Sequence, residues 1–170
     1  MEKMEIRYYL TFEFTGVADK FVYTVAEGVK NGIREELLGR NWEVHGTVIE
    51  FEDVSGRKIA VNARYIRRCQ GLFDAGIYPA RHERDNSQPD MMIVVEGMSK
   101  PLSYNDIEPD EAALVASVMA GVESDVCNFV SFTDEDGEDN LIPADKIMLL
   151  ESIHYDDDFA EEADEDKDDK

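Results

Sequence analysis

Five basic side chains, Arg57, Lys58, Arg64, Arg67 and Arg68, fall within residues 57–68. Guanidinium and ammonium groups at that density suit the binding of phosphates or carboxylates, as point charges from lysine and as forked donors from arginine. Geometry depends on the backbone. Were ARYIRRCQGLF (63–73) helical, Arg64, Arg67 and Arg68 would share a face and could contact phosphates; were it a strand, the arginines would split between faces. Arg81 and Arg84 could extend the cluster. Three uses follow: a solvated surface paired with local carboxylates, a site for an external anionic partner, or a contact with the acidic remainder of the chain.

Other residues with chemical potential are less well arranged. The run DEDGED (134–139) suggests calcium, but an EF-hand loop with Gly137 at its sixth position would place Phe132 first and Pro143 twelfth, where oxygen ligands are required. A tight turn explains the run. His45, His82 and His154 stand in no metal-binding motif, and Cys69 and Cys127 are too few and too far apart for a four-ligand zinc site. Neither a nucleophile elbow nor a glycine-rich phosphate loop occurs. The sequence therefore predicts no catalytic residue, cofactor or metal.

The turn at DEDGED has a counterpart. FEDVSGRKIAV (51–61) reads as the same hairpin as FTDEDGEDNLI (132–142), and superposing Gly56 on Gly137 gives a shift of 81 residues. Without a gap, that shift also aligns Gly16 with Gly97, Tyr23 with Tyr104, Glu27 with Glu108, Asp53 with Asp134, Ala63 with Ala144 and Ile66 with Ile147. One register that preserves turns, strands and a helix together predicts a tandem duplication.

Each unit reads as strand, turn, strand, helix, hairpin and a short last element. In the first strand Ile6, Tyr8, Leu10, Phe12 and Phe14 alternate with polar residues, which predicts one face on a core and the other in water. Its counterpart, MMIVV (91–95), is apolar throughout and predicts a strand covered on both faces. Second strands are expected over 21–25 and 102–105. Val29, Ile33 and Leu37 give the first helix an apolar stripe, and Pro109 with Asp110 and Glu111 opens a second that ends near Gly121. Long strands over 44–53, with Trp42 at its start, and 126–134 lead into the two hairpin turns. Pro143, lacking an N–H, predicts a strand end or a sheet edge.

The expected architecture is thus α+β: repeats over 1–73 and 90–155, an exposed excursion or linker over 74–89, and a disordered acidic tail over 156–170. The net charge of −22 is unevenly placed. Residues 1–80 sum to −1, 81–155 to −13 and 156–170 to −8. Repulsion from phosphate argues against general nucleic-acid binding, while a local basic site at the front stays open. Positions 57 and 58 are basic where Glu138 and Asp139 are acidic, so equivalent surfaces carry opposite sign and could associate within or between chains. No run of apolar residues is long enough for a membrane span, and the charged N-terminus does not read as a signal peptide, which points to the cytoplasm. The leading expectation is a non-catalytic interaction or assembly module that self-associates or binds a protein partner, with an acidic regulatory or solubilising tail. The second is a nucleic-acid-associated regulator using the basic residues and shielded by that tail. The third is a small-molecule enzyme at a groove between repeats.

Overall fold

The computed structural model describes residues 6–74, 89–121 and 128–152. The predicted linker over 74–89, the tail over 156–170, and Arg81, Arg84, His82, His154 and Cys127 lie wholly or almost wholly outside them. The fold is α+β with antiparallel sheets. In order, the first half holds β1 (Arg7–Phe14), β2 (Phe21–Val25), α1 (Glu27–Gly39), a single helical turn α2 (Trp42–His45), β3 (Val48–Glu52), β4 (Lys58–Asn62), a 3-10 turn (Ala63–Tyr65) and β5 (Ile66–Asp74). The second holds β6 (Met91–Val95), β7 (Leu102–Tyr104), α3 (Pro109–Ala120), β8 (Phe129–Thr133), β9 (Asp139–Pro143), a 3-10 turn (Ala144–Lys146) and β10 (Ile147–Ser152).

The hairpin bounds, the 3-10 turns and the starts of β5 and β10 all recur at a shift of 81 residues. Hydrogen bonding recurs with them. Asp53 N donates to Arg57 O and Asp134 N to Glu138 O, each at 3.0 Å; Ala63 N donates to Thr47 O and Ala144 N to Asn128 O, each at 2.8 Å. Register recurs as well. Phe14 faces Ile66 across β1 and β5, after an irregularity beyond Glu13, and Val95 faces Ile147 across β6 and β10 after an irregularity at the equivalent place. Gly56 and Gly137 hold φ of 84° and 78°, which a Cβ would strain.

Three sheets result, ordered β2-β1-β5, β3-β4-β10-β6-β7 and β8-β9. The second contains strands of both halves, because β4 pairs antiparallel with β10: Leu149 faces Val61, Leu150 faces Ala60 and Ser152 faces Lys58. Two cores follow. The first gathers Phe12, Phe14, Tyr23, Ile33, Phe51 and neighbours, together with Met92, Val94, Met148 and Leu149 from the second half. The other gathers Ile93, Val115, Met119, Phe132 and Leu150 with their neighbours, together with Val48 and Ala60 from the first half. β6 is buried along its whole length, as a strand apolar at every position requires when a core lies on each side.

Two expectations are corrected. The far face of β1 meets water only towards its ends, at Arg7, Glu13 and Thr15: Tyr9 and Thr11 are buried, as are Val22 and Thr24 on β2. Threonine and tyrosine carry polar tips on bodies that bury readily, so their alternation with Leu10 and Phe12 reads falsely as solvent exposure. The strand expected over 44–53 starts only at Val48. Trp42–His45 is a helical turn that stops at Gly46, whose φ is 73°. Arg40 fixes that bend, its Nε donating to Gly46 O at 3.1 Å and its Nη2 to His45 O at 2.6 Å and Val48 O at 3.1 Å.

Candidate functional site

The five basic residues sit in different environments, one buried and four exposed. Arg57 follows the first hairpin turn and is only 5% exposed, and its Nη2 pairs with the carboxylate of Glu151, which is 0% exposed on β10. Tyr23 Oη donates to the other Glu151 oxygen at 2.9 Å. A buried charge is tolerated when it is paired and hydrogen-bonded. Arg57 is thus occupied inside the molecule, joining the first hairpin to a strand of the second half. Lys58 is exposed on β4, Arg64 is exposed in the 3-10 turn, and Arg67 and Arg68 occupy successive positions of β5. Residues 66–74 form a strand rather than a helix, its register with β1 shifts between Ile66 and Arg68, and both arginines are exposed. Arg68 is paired with Glu13 on β1.

Carboxylates dominate one concavity. A groove of about 1290 Å³ runs between the β3–β4 hairpin and the start of α3, rimmed by Glu50, Glu52, Asp90, Asp106, Glu108 and Asp110. Lys58 is its one cationic side chain among the described residues, and Ile59, Leu150 and the alanines of α3 supply apolar lining. No histidine or cysteine lines it among the described residues. Such a groove favours cations over anions.

The acidic loop serves its own turn. Asp134 Oδ1 accepts from the backbone N–H groups of Asp136 at 3.1 Å and Glu138 at 3.0 Å, and Oδ2 accepts from Asn140 Nδ2 at 2.9 Å. Asp53 does the same in the first turn, with Ser55 and Arg57 as donors. Asn140 foremost, with those backbone donors, holds the Asp134 carboxyl below its ordinary value. The Arg68 hydrogen bond does so for Glu13, and Lys146 does so for Glu96. All three groups have a folded-state pKa below the unfolded one. Their stabilisation is therefore present above the ordinary value, 4.5 for the glutamates and 3.8 for the aspartate, and is lost as pH falls through the folded value. The urea midpoint is expected to fall as pH is lowered from 4.5, and to fall less in Glu13→Gln/Glu96→Gln, measured by fluorescence of Trp42.

A second seam between the halves lies at Tyr65, whose hydroxyl donates to Asp145 O at 2.5 Å and to Glu96 Oε2 at 3.2 Å. Burial is the main cause raising its pKa, aided by Glu96. Cys69, packed against the first core, is pushed up to about 11 by burial, so it is a protonated thiol at neutral pH.

The least expected feature is a contrast at equivalent positions. Val48 and Ala60, 7% and 4% exposed, are the first-half residues that enter the second core; their counterparts Phe129 and Leu141 are 53% and 65% exposed. The hairpin face that the first half buries against its neighbour is bare on the second half, and it carries larger apolar groups. The shift of 81 contained this signal, since Val becomes Phe and Ala becomes Leu. Glu151 stands out as the one charge in the strand IMLLES, but nothing in the sequence names Arg57 as its partner. No family model, no curated protein and no solved structure matches the chain in comparison.

Proposed function

We propose that the chain is a tandem duplication of one α+β unit acting as a non-catalytic assembly module, and that it self-associates through the exposed face of its β8–β9 hairpin. The observation that carries this reading is the exposure of Phe129 and Leu141 where Val48 and Ala60 are covered. Large apolar side chains grouped on an exposed hairpin favour burial against a partner. The hairpin also has open edges: β8 and β9 form a sheet of two strands among the described residues. Exposed edges are templates for further strand pairing. The acidic tail would keep the free chain soluble and oppose indiscriminate association through its charge.

Sedimentation velocity over a concentration series tests the reading. The parent chain is expected to form species heavier than one copy, more so as salt screens the repulsion between chains of net charge −22. Phe129→Ser/Leu141→Ser is expected to shift the chain to a single copy while changing stability by only about 0.5 kcal/mol, because both side chains are exposed. A parent chain that sediments as one copy at every concentration and salt overturns it.

A further inference from the structure

The chain already contains one example of how its units join. Within it, β4 of the first half adds to β10 of the second, and the far sides of the two strands engage β3 and β6. Transferring that pairing by 81 residues turns β10 into β5 and β4 into β9. Both strands have room: among the described residues β5 has β1 as its one strand neighbour, and β9 has β8. The internal join leaves its equivalent unmade at the two ends of the chain.

Resting on the self-association proposed above, we infer that β9 of one copy adds antiparallel to the outer edge of β5 of a second copy, with Leu141 opposite Cys69 and Asn140 opposite Gln70. This register follows from Leu150 facing Ala60 and Glu151 facing Ile59 in the internal join. Leu141 would then lie beside Cys69 over the first core, as Ala60 lies beside Leu150 over the second. Phe129 would be covered as Val48 is.

The polar groups also fit. At the internal join Arg57 meets Glu151; the equivalents at the new join are Glu138 and Gln70. A carboxylate would meet a neutral amide, and Arg68, two residues along β5, would share the face of Gln70. Glutamate at 70 would instead have set like charges together. Where Leu149 and Val94 enter the neighbouring core, their counterparts are Arg68 and Glu13, an exposed ion pair. The join between copies is therefore the more polar one, as suits reversible association. Donor and acceptor are different surfaces of one chain, so every copy offers both and assembly continues until a ring closes or a filament grows.

Leu141→Cys in a Cys127→Ala background, oxidised with copper–phenanthroline, tests the register. The expected result is disulfide-linked multiples of the chain on a non-reducing gel, with the peptides carrying Cys69 and position 141 joined. Gln70→Glu should weaken association at least about tenfold by setting a second carboxylate against Glu138. Association of the parent without a link from 69 to 141, or with a link from Cys69 to Asp139→Cys instead, overturns this register and leaves the broader reading standing. A link within a single copy also overturns it. A parent that never associates overturns both.

Discussion

Glu151→Ala is expected to lower the unfolding free energy by about 3–5 kcal/mol, the cost of leaving a buried charge without its partner. Glu151 is wholly buried, and its carboxylate takes both the Arg57 guanidinium and the Tyr23 hydroxyl. Removing it strands a cation that hydration cannot reach. Arg57→Ala should cost a similar amount, since the buried carboxylate then loses the guanidinium charge that pairs with it. The double replacement Arg57→Met/Glu151→Leu separates electrostatics from packing: buried ion pairs exchanged for apolar groups of similar volume are often neutral or stabilising by about 1–4 kcal/mol. Urea unfolding of the four proteins closes the cycle. Single variants within about 0.5 kcal/mol of the parent would show that the pair is hydrated and that Arg57 is available to other partners.

That prediction could not have been written from the sequence. Arginine and glutamate read as surface residues because charge seldom buries, and nothing near Arg57 names a partner on a strand of the other half. What local rules govern was legible. The glycine turns need positive φ, Pro109 opens a helix that runs to Ala120, and an unbroken apolar run such as MMIVV fits only a strand with cores on both sides. The start of β3 was not legible, since a tryptophan and a valine near it have strand propensity. There the three carbonyls gathered by Arg40 hold a helical turn instead. The different surroundings of the basic residues were hidden for a related reason. Sequence proximity put five cations together, but Arg57 lies in the interior paired with Glu151, and Arg68 is paired with Glu13. The exposed Phe129 and Leu141 lay within reach of the sequence, but only by asking what the shift of 81 does to side-chain size.

The way the cores are shared leads to the second large effect. Leu149 belongs to β10, a strand of the second half, yet it packs in the first core with Phe12, Phe51 and Val61, and Met148 and Met92 accompany it. Val48 and Ala60 cross in the opposite sense into the second core. Neither half can therefore lose its structure without opening apolar surface in the other. Leu149→Ala is expected to cost about 2–5 kcal/mol, the transfer term of the lost side chain plus the cavity it leaves. Its consequence should be felt on both sides of the join. Trp42, the only tryptophan, packs against the first core and reports that side; amide exchange in α3 reports the other. Both are expected to shift together in Leu149→Ala, as one cooperative transition demands. Loss of the Trp42 signal at lower urea while α3 keeps the parent's protection would mean that the halves unfold separately. The β4–β10 join would then be a contact between two independent domains instead of the spine of one.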